Sequence, residues 1–207
     1  VFQKMFSPQG TLVAVECLSR FDNLTVSPEY FFRHATAAVR ERIFLEQLAL
    51  IEKHKDWFLR NNISATINVD DHILNLLRQK EIKDKIAALT CVHFEVTENA
   101  ENLLNNSLAA WQNPQDTSLW LDDFGSGYAG INAIRGYHFV KIDKDFFWHL
   151  MRKESGRQLM DALVTFLSRN HHNVIIEGVE SEDHKKWLQG MEWFAIQGHY
   201  WQEVSIE

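Results

Sequence analysis

Short apolar runs alternate along this chain with longer stretches whose apolar residues recur at helical spacing. The runs have the length of strands. They cover Val1 to Phe6, Thr11 to Leu18, Ile63 to Val69, Cys91 to Val96, Ser118 to Leu121, His138 to Ile142, Val174 to Ile176 and Phe194 to Ile196. Ser7-Pro8-Gln9-Gly10 is rich in turn formers and predicts a hairpin between the first two runs. Ser27-Pro28 predicts a helix start, with Ser as N-cap and Pro in the first turn. From Arg40 to Arg60, the residues Ile43, Phe44, Gln47, Leu48, Ile51, Lys55 and Phe58 fall on one helical face. Ile73, Leu76 and Leu77 repeat that spacing. So do Leu159, Leu163, Phe166 and Leu167, within a helix expected from Arg152 to Arg169. Strands alternating with helices at this pitch predict βα units and a mostly parallel sheet. About eight strands in one domain predict closure into an α/β barrel.

Composition narrows this picture. A chain of 207 residues suits one domain, expected to span 1–207 and to be trimmed at both ends, since it starts at Val1 and stops abruptly. With 14 Phe and 7 Trp it can bury a sizeable core, and only 9 Gly and 3 Pro argue against long linkers. The net charge of −7 disfavours binding to a nucleic acid polymer, which calls for a basic footprint. A small phosphate ligand stays open, because bound cations reverse the local charge. Cys17 and Cys91 lie in apolar runs without metal-ligand spacing and read as buried thiols, which suits a reducing cytoplasm. No apolar run approaches the ~20 residues that span a bilayer, and no signal-peptide pattern opens the chain. A membrane is therefore not an expected partner.

The chemistry lies where the apolar runs end. The runs stop at Glu16, Asn68, Glu95, Asp122-Asp123, Lys141 with Asp143, Glu177 and Gln197, with Glu98 and Glu180 three residues beyond two of them. A single acid at a strand end is ordinarily a solvated terminus, and Asp122-Asp123 before Gly125 is by itself only a turn signal. Recurrence at nearly every strand is what overrides that reading. In a parallel barrel those ends converge on one face, where carboxylates either protonate or gather around a cation. An oxygen-rich donor set without paired Cys or His favours Mg²⁺, Mn²⁺ or Ca²⁺ over zinc. Adjacent acids can serve two ions at the short spacing used in phosphoryl displacement. The loop Phe124-Gly125-Ser126-Gly127-Tyr128 is glycine-rich and suited to move near a ligand. His171-His172 reads as a solvated turn.

These residues resemble the motifs of the EAL-domain phosphodiesterases, bacterial enzymes that linearise cyclic di-GMP. Glu16-Cys17-Leu18 with Arg20 is similar to the E-x-L-x-R motif. Glu95-Val96-Thr97-Glu98 is similar to E-x-T-E, and Asp122 to Tyr128 to the D-D-F-G-T-G-Y loop. Lys141-Ile142-Asp143, Glu177-Gly178-Val179-Glu180 and Gln197-Gly198 follow in family order, over about Phe2 to Trp201. Gln3-Lys4 and Val204 depart from the family pattern at the ends, away from the chemistry, and Ala129-Gly130 replace two Ser residues of the loop, a change that bears on loop packing or dimer-linked loop control.

The resemblance implies a modified TIM (β/α)8 barrel whose first strand runs antiparallel. It implies hydrolysis of cyclic di-GMP to linear pGpG with Mg²⁺ or Mn²⁺, two ions in all, in a homodimer. It also implies a role in lowering a messenger that drives surface attachment. The metal ligands it implies are Glu16, Asn68, Glu95, Asp122, Asp123 and Glu177. The implied catalytic groups are Glu16, Lys141, Glu177 and Gln197, with Lys141 and Gln197 close to the attacking water. Leu18, Arg20 and Asp143 would contact substrate, Arg20 as a clamp on phosphate, while Asp143 also braces the metal site. Glu98 would brace the glycine-rich loop after Asp122-Asp123, and Glu180 would support the site. Two alternatives remain: a catalytically silent module of the same kind that binds nucleotide or protein, and an unrelated barrel using Mg²⁺ for enolisation. The strand-end acids alone permit the second, but the ordered motifs disfavour it.

Overall fold

The computed structural model describes residues 1–20, 26–97, 119–127 and 131–205. Its strands are β1 (Phe2–Phe6), β2 (Leu12–Cys17), β3 (Ser64–Asn68), β4 (Val92–Thr97), β5 (Leu119–Phe124), β6 (Phe139–Ile142), β7 (Asn173–Ile176) and β8 (Ala195–Gln197). They close in sequence order into an eight-stranded barrel. β1 is antiparallel to both β2 and β8, and every other neighbouring pair is parallel. The expected inverted first strand and the Ser7–Gly10 turn are both present, with Gly10 N–H donating to Ser7 O at 2.9 Å. Inverting β1 puts its N-terminal end at the mouth formed by the C-terminal ends of the other seven strands.

Around the barrel, among the described residues, lie α1 (Pro28–His34), α2 (Ala37–Lys53), α3 (Lys55–Asn61), α4 (Asp71–Leu76), α5 (Lys80–Ala87), α6 (Lys144–Met151), α7 (Gly156–Arg169) and α8 (Glu182–Leu188). Ser27 caps α1 by accepting from Tyr30 N–H, with Pro28 in the first turn, as its sequence predicts. The helical stretch expected over Arg40 to Arg60 is two helices. His54 leaves helical geometry at φ −110°, ψ 10°, which ends α2 and re-aims α3 so that Phe58 joins Phe44, Leu48 and Ile51 in the core. The helix expected from Arg152 to Arg169 starts only at Gly156. Arg152 instead closes α6, and Gly156 passes so near the Leu150 carbonyl that a Cβ would lie 1.8 Å from its oxygen. His171 sits in a turn at φ 67°, and His172 Nδ1 meets the Tyr137 carbonyl at 2.7 Å.

Two apolar cores result from the period of two in the strands. Outward-facing residues such as Ile67, Phe94, Leu121, Val140 and Ile176 pack under the helices with Leu48, Phe147 and Leu167. Inward-facing Met5, Ala14, Trp120, Ile175 and Ala195, with Phe139 and Phe194 against them, plug the barrel interior. Trp120 and Phe139 stack with centroids 4.1 Å apart. The next inward residue toward the mouth is polar on strand after strand. This plug is thus the floor of the polar site. Both Cys17 and Cys91 are buried free thiols. Among the described residues no helix is long and apolar enough to cross a membrane.

Candidate active site

One step above the apolar plug, the inward positions are Gln3, Glu16, Glu95, Asp122, Lys141 and Gln197, with Asn68 and Glu177 at the strand ends. Lys141, fully buried on β6, is the hub. Its Nζ lies 3.3 Å from Glu16 Oε2, 2.7 Å from Glu95 Oε2, 3.0 Å from Asp122 Oδ1 and 2.8 Å from Glu177 Oε1. Four carboxylates thus surround one ammonium. Glu16 has further donors: Gln197 Nε2 at 2.6 Å on Oε2 and Asn68 Nδ2 at 2.6 Å on Oε1. Gln197 Nε2 also reaches Gln3 Oε1 at 2.6 Å. Gln3, expected to lie away from the chemistry, is therefore part of the site's hydrogen-bond network. Its signal was an inward polar position at the mouth end of the inverted strand.

Asp122 and Asp123 are neighbours, and neighbours in a regular strand face opposite sides. Here the β5–β6 register slips between Leu121 and Phe124, and Asp123 takes the left-handed conformation at φ 57°. That bulge carries β5 past its expected end at Leu121 and brings both acids to the mouth. Carboxylate oxygens of Asp122, Asp123 and Glu177 lie within 4.8 Å of one another. A strained non-glycine residue of this kind persists only where the surroundings enforce it.

The electrostatics follow from burial and crowding. Burial penalises the Lys141 ammonium, but Asp122, Glu16, Glu177 and Glu95 outweigh this and hold its pKa well above the lysine range. Burial likewise pushes Glu16 up, yet Lys141, Gln197 and Asn68 overcome it and keep that group below the ordinary value. Burial, then Glu16, drives Glu95 well above it. Burial also raises Asp122 against the pull of Lys141. Burial with Asp122 beside it pushes Asp123 up to about 7, and burial pushes Glu177 up to about 8. One ammonium therefore does not satisfy the cluster. Among the described residues, Glu95 Oε1 and Gln197 Oε1 are buried without a hydrogen-bond partner, while Asp122 Oδ1 lies 3.0 Å from the Lys141 ammonium. The carboxylate oxygens of Asp122, Asp123 and Glu177, within 4.8 Å of one another, are the kind of donor set a hard divalent cation takes. The residues present fit one.

The remaining expected residues lie around this centre. Asp143 is buried but spends one oxygen capping α6, accepting from Phe146 N–H at 3.0 Å. Leu18 is half-buried, with its N–H bonded to Val1 O at 2.9 Å. Arg20 is exposed on the segment leaving β2 and pairs with Glu203. Glu180 sits on the rim with His199 Nδ1 at 3.2 Å from its carboxylate, rather than in the cluster. The expectations for Glu98, Tyr128, Ala129 and Gly130 lie outside the described residues.

The molecule is a closed α/β barrel with one inverted strand and an acidic, lysine-centred mouth. The chain belongs to the EAL domain family, whose pattern matches residues 1–203. It is 30% identical to the cyclic di-GMP phosphodiesterase PdeH of Escherichia coli K12, over 96% of this chain and 80% of that protein. It is 28% identical to the anti-FlhC(2)FlhD(4) factor YdiV of Salmonella choleraesuis, over 79% of this chain and 71% of that protein. The solved EAL-like domain protein YdiV superposes with a TM-score of 0.86 at 20% identity, covering 98% of this chain and 90% of that one.

Proposed function

We propose that this chain is a metal-dependent phosphodiesterase that hydrolyses cyclic di-GMP to linear pGpG. The observation that carries the reading is the Lys141 hub with its four carboxylates, left electrostatically unsatisfied at the mouth of an EAL barrel. The 30% identity to a cyclic di-GMP phosphodiesterase supplies the substrate.

Glu16, Asn68, Glu95, Asp122, Asp123 and Glu177 would hold Mg²⁺ or Mn²⁺, and the bulged Asp122-Asp123 pair suits two ions. Bound divalent ions supply a water nucleophile at neutral pH and Lewis acidity toward the phosphoryl oxygens. The protein's own groups do the rest. Lys141, charged throughout the working pH range, fixes the carboxylates and would offer positive charge near the phosphoryl and leaving oxygens, on which negative charge grows. Gln197, held by Glu16 and Gln3, would orient water through its Oε1. Arg20 offers a planar fork for a substrate phosphate, and Leu18 and Asp143 border that path. Glu180 and Glu98 support the rim. The exposed Leu159 and Phe166 of α7 support pairing of two copies, readable by sedimentation. The reading places the protein in the cytoplasm, where it lowers the messenger.

Purified chain with Mn²⁺ should convert cyclic di-GMP to pGpG, and Glu16→Ala should abolish turnover. No product from metal-loaded wild type sinks the proposal. The similarity to YdiV, named for its action on a protein complex, favours one second reading: a silent module that binds a protein. The same assay decides between them.

A further inference from the structure

Arg20 and Glu203 are 183 residues apart in sequence, yet they meet fork to fork. Arg20 Nε lies 3.3 Å from Glu203 Oε2, and Nη2 donates to Oε1 in a shorter contact. Arg20 Nη1 also donates to Ser19 O at 3.3 Å, which fixes the guanidinium's outer edge. Glu203 is delivered by a strap anchored on both sides. Before it, Trp201 packs on Phe6 with ring centroids 4.7 Å apart. After it, Val204 exchanges two backbone hydrogen bonds with Phe2, at 2.7 and 3.1 Å. Phe2 in turn pairs with Cys17, next to the Glu16 ligand position and three residues before Arg20. The strap therefore holds a carboxylate at the edge of the mouth.

A guanidinium fork accepts carboxylate and phosphate oxygens with the same two-bond geometry. We propose that Glu203 is an affinity-setting competitor: its carboxylate occupies the Arg20 fork, and a phosphodiester ligand must displace it to be clamped. The exposure of the two side chains, 38% and 23%, fits an exchangeable contact rather than a buried lock. Glu203 also places one more negative charge beside a mouth that already has a carboxylate excess. The inference rests on the phosphodiesterase reading for the identity of the ligand.

The test measures KM and kcat for cyclic di-GMP with Mn²⁺, and equilibrium affinity for pGpG by calorimetry, which needs no turnover. Glu203→Gln should lower KM and tighten pGpG about 2–5-fold, the worth of an exposed ion pair, with kcat within twofold. In an Arg20→Ala background the same change should have no effect. Unchanged or weaker affinity in Glu203→Gln overturns the proposal, and so does a gain that survives loss of Arg20. Glu203→Asp, which keeps the charge but shortens the reach, should shift affinity the same way by less, and stands in if the Gln variant folds poorly. Tighter pGpG binding without turnover in any variant would keep the competitor and remove the catalytic reading. No nucleotide binding by wild type or variant would remove both.

Discussion

Replacing Lys141 with Met removes the hub's charge while nearly keeping its length and volume. In the native protein that ammonium touches Glu16, Glu95, Asp122 and Glu177 at 2.7–3.3 Å in full burial. Removing one partner of a buried ion pair costs about 3–5 kcal/mol, because the other charge is left stranded. For a chain of 207 residues each kcal/mol is worth about 2–4 °C in Tm, so the metal-free variant should melt about 6–20 °C lower at pH 8. The loss depends on pH, and its sign can be worked out. Glu95, Asp122, Asp123 and Glu177 all have folded pKa values raised above their ordinary ones. These four groups thus bind more protons in the folded state than in the unfolded chain between about pH 4 and 8, with Glu16 alone in the cluster acting the other way, and their contribution to metal-free stability falls as pH rises through that window. Lys141 itself stays charged there, its pKa held well above the lysine range, so any change of the deficit with pH comes from the acids around it. Without it, the acids must take up protons more strongly. The variant's deficit should shrink to about half or less at pH 5. The assay is thermal melting of chelator-treated wild type and Lys141→Met at pH 5 and pH 8. Equal melting temperatures at both pH values would refute the account of the hub as the charge that makes this cluster tolerable.

Two other outcomes follow from the geometry. Metal affinity should rise with pH, because ions displace the protons held by Asp123 at about 7 and Glu177 at about 8. Each proton released gives about tenfold per pH unit, so calorimetric Mn²⁺ affinity should be steepest below pH 7 and flat above 8, and a pH-independent affinity from 6 to 8 would contradict it. Gly198→Ala should destabilise strongly, by about 2 kcal/mol or more, since its Cβ would lie 2.2 Å from the Val179 carbonyl oxygen with only backbone to give way. Denaturant melts would read this directly, and a midpoint equal to wild type would reject the close approach.

The barrel and its ring of polar strand ends could be read from the pattern of the chain alone. Apolar runs of strand length fix the strands, and a parallel barrel gathers their C-terminal ends whatever the detailed packing. For that reason Glu16, Glu95, Asp122, Lys141, Glu177 and Gln197 were legible as one site. The helix boundaries were less so: His54 breaks a continuous apolar stripe, and Gly156 begins a helix four residues after the expected start, because both answer to packing against neighbours rather than to spacing. Partner choice was decided only in three dimensions. Strand periodicity sends Asp122 and Asp123 to opposite faces, and only the bulge at φ 57° reunites them. Nothing local says that Lys141 contacts four acids, that Gln3 braces Gln197, or that Glu203 meets Arg20 across 183 residues. Periodicity records which side of an element is buried. Which charges meet there depends on closure of the barrel, and closure joins residues that no local pattern connects.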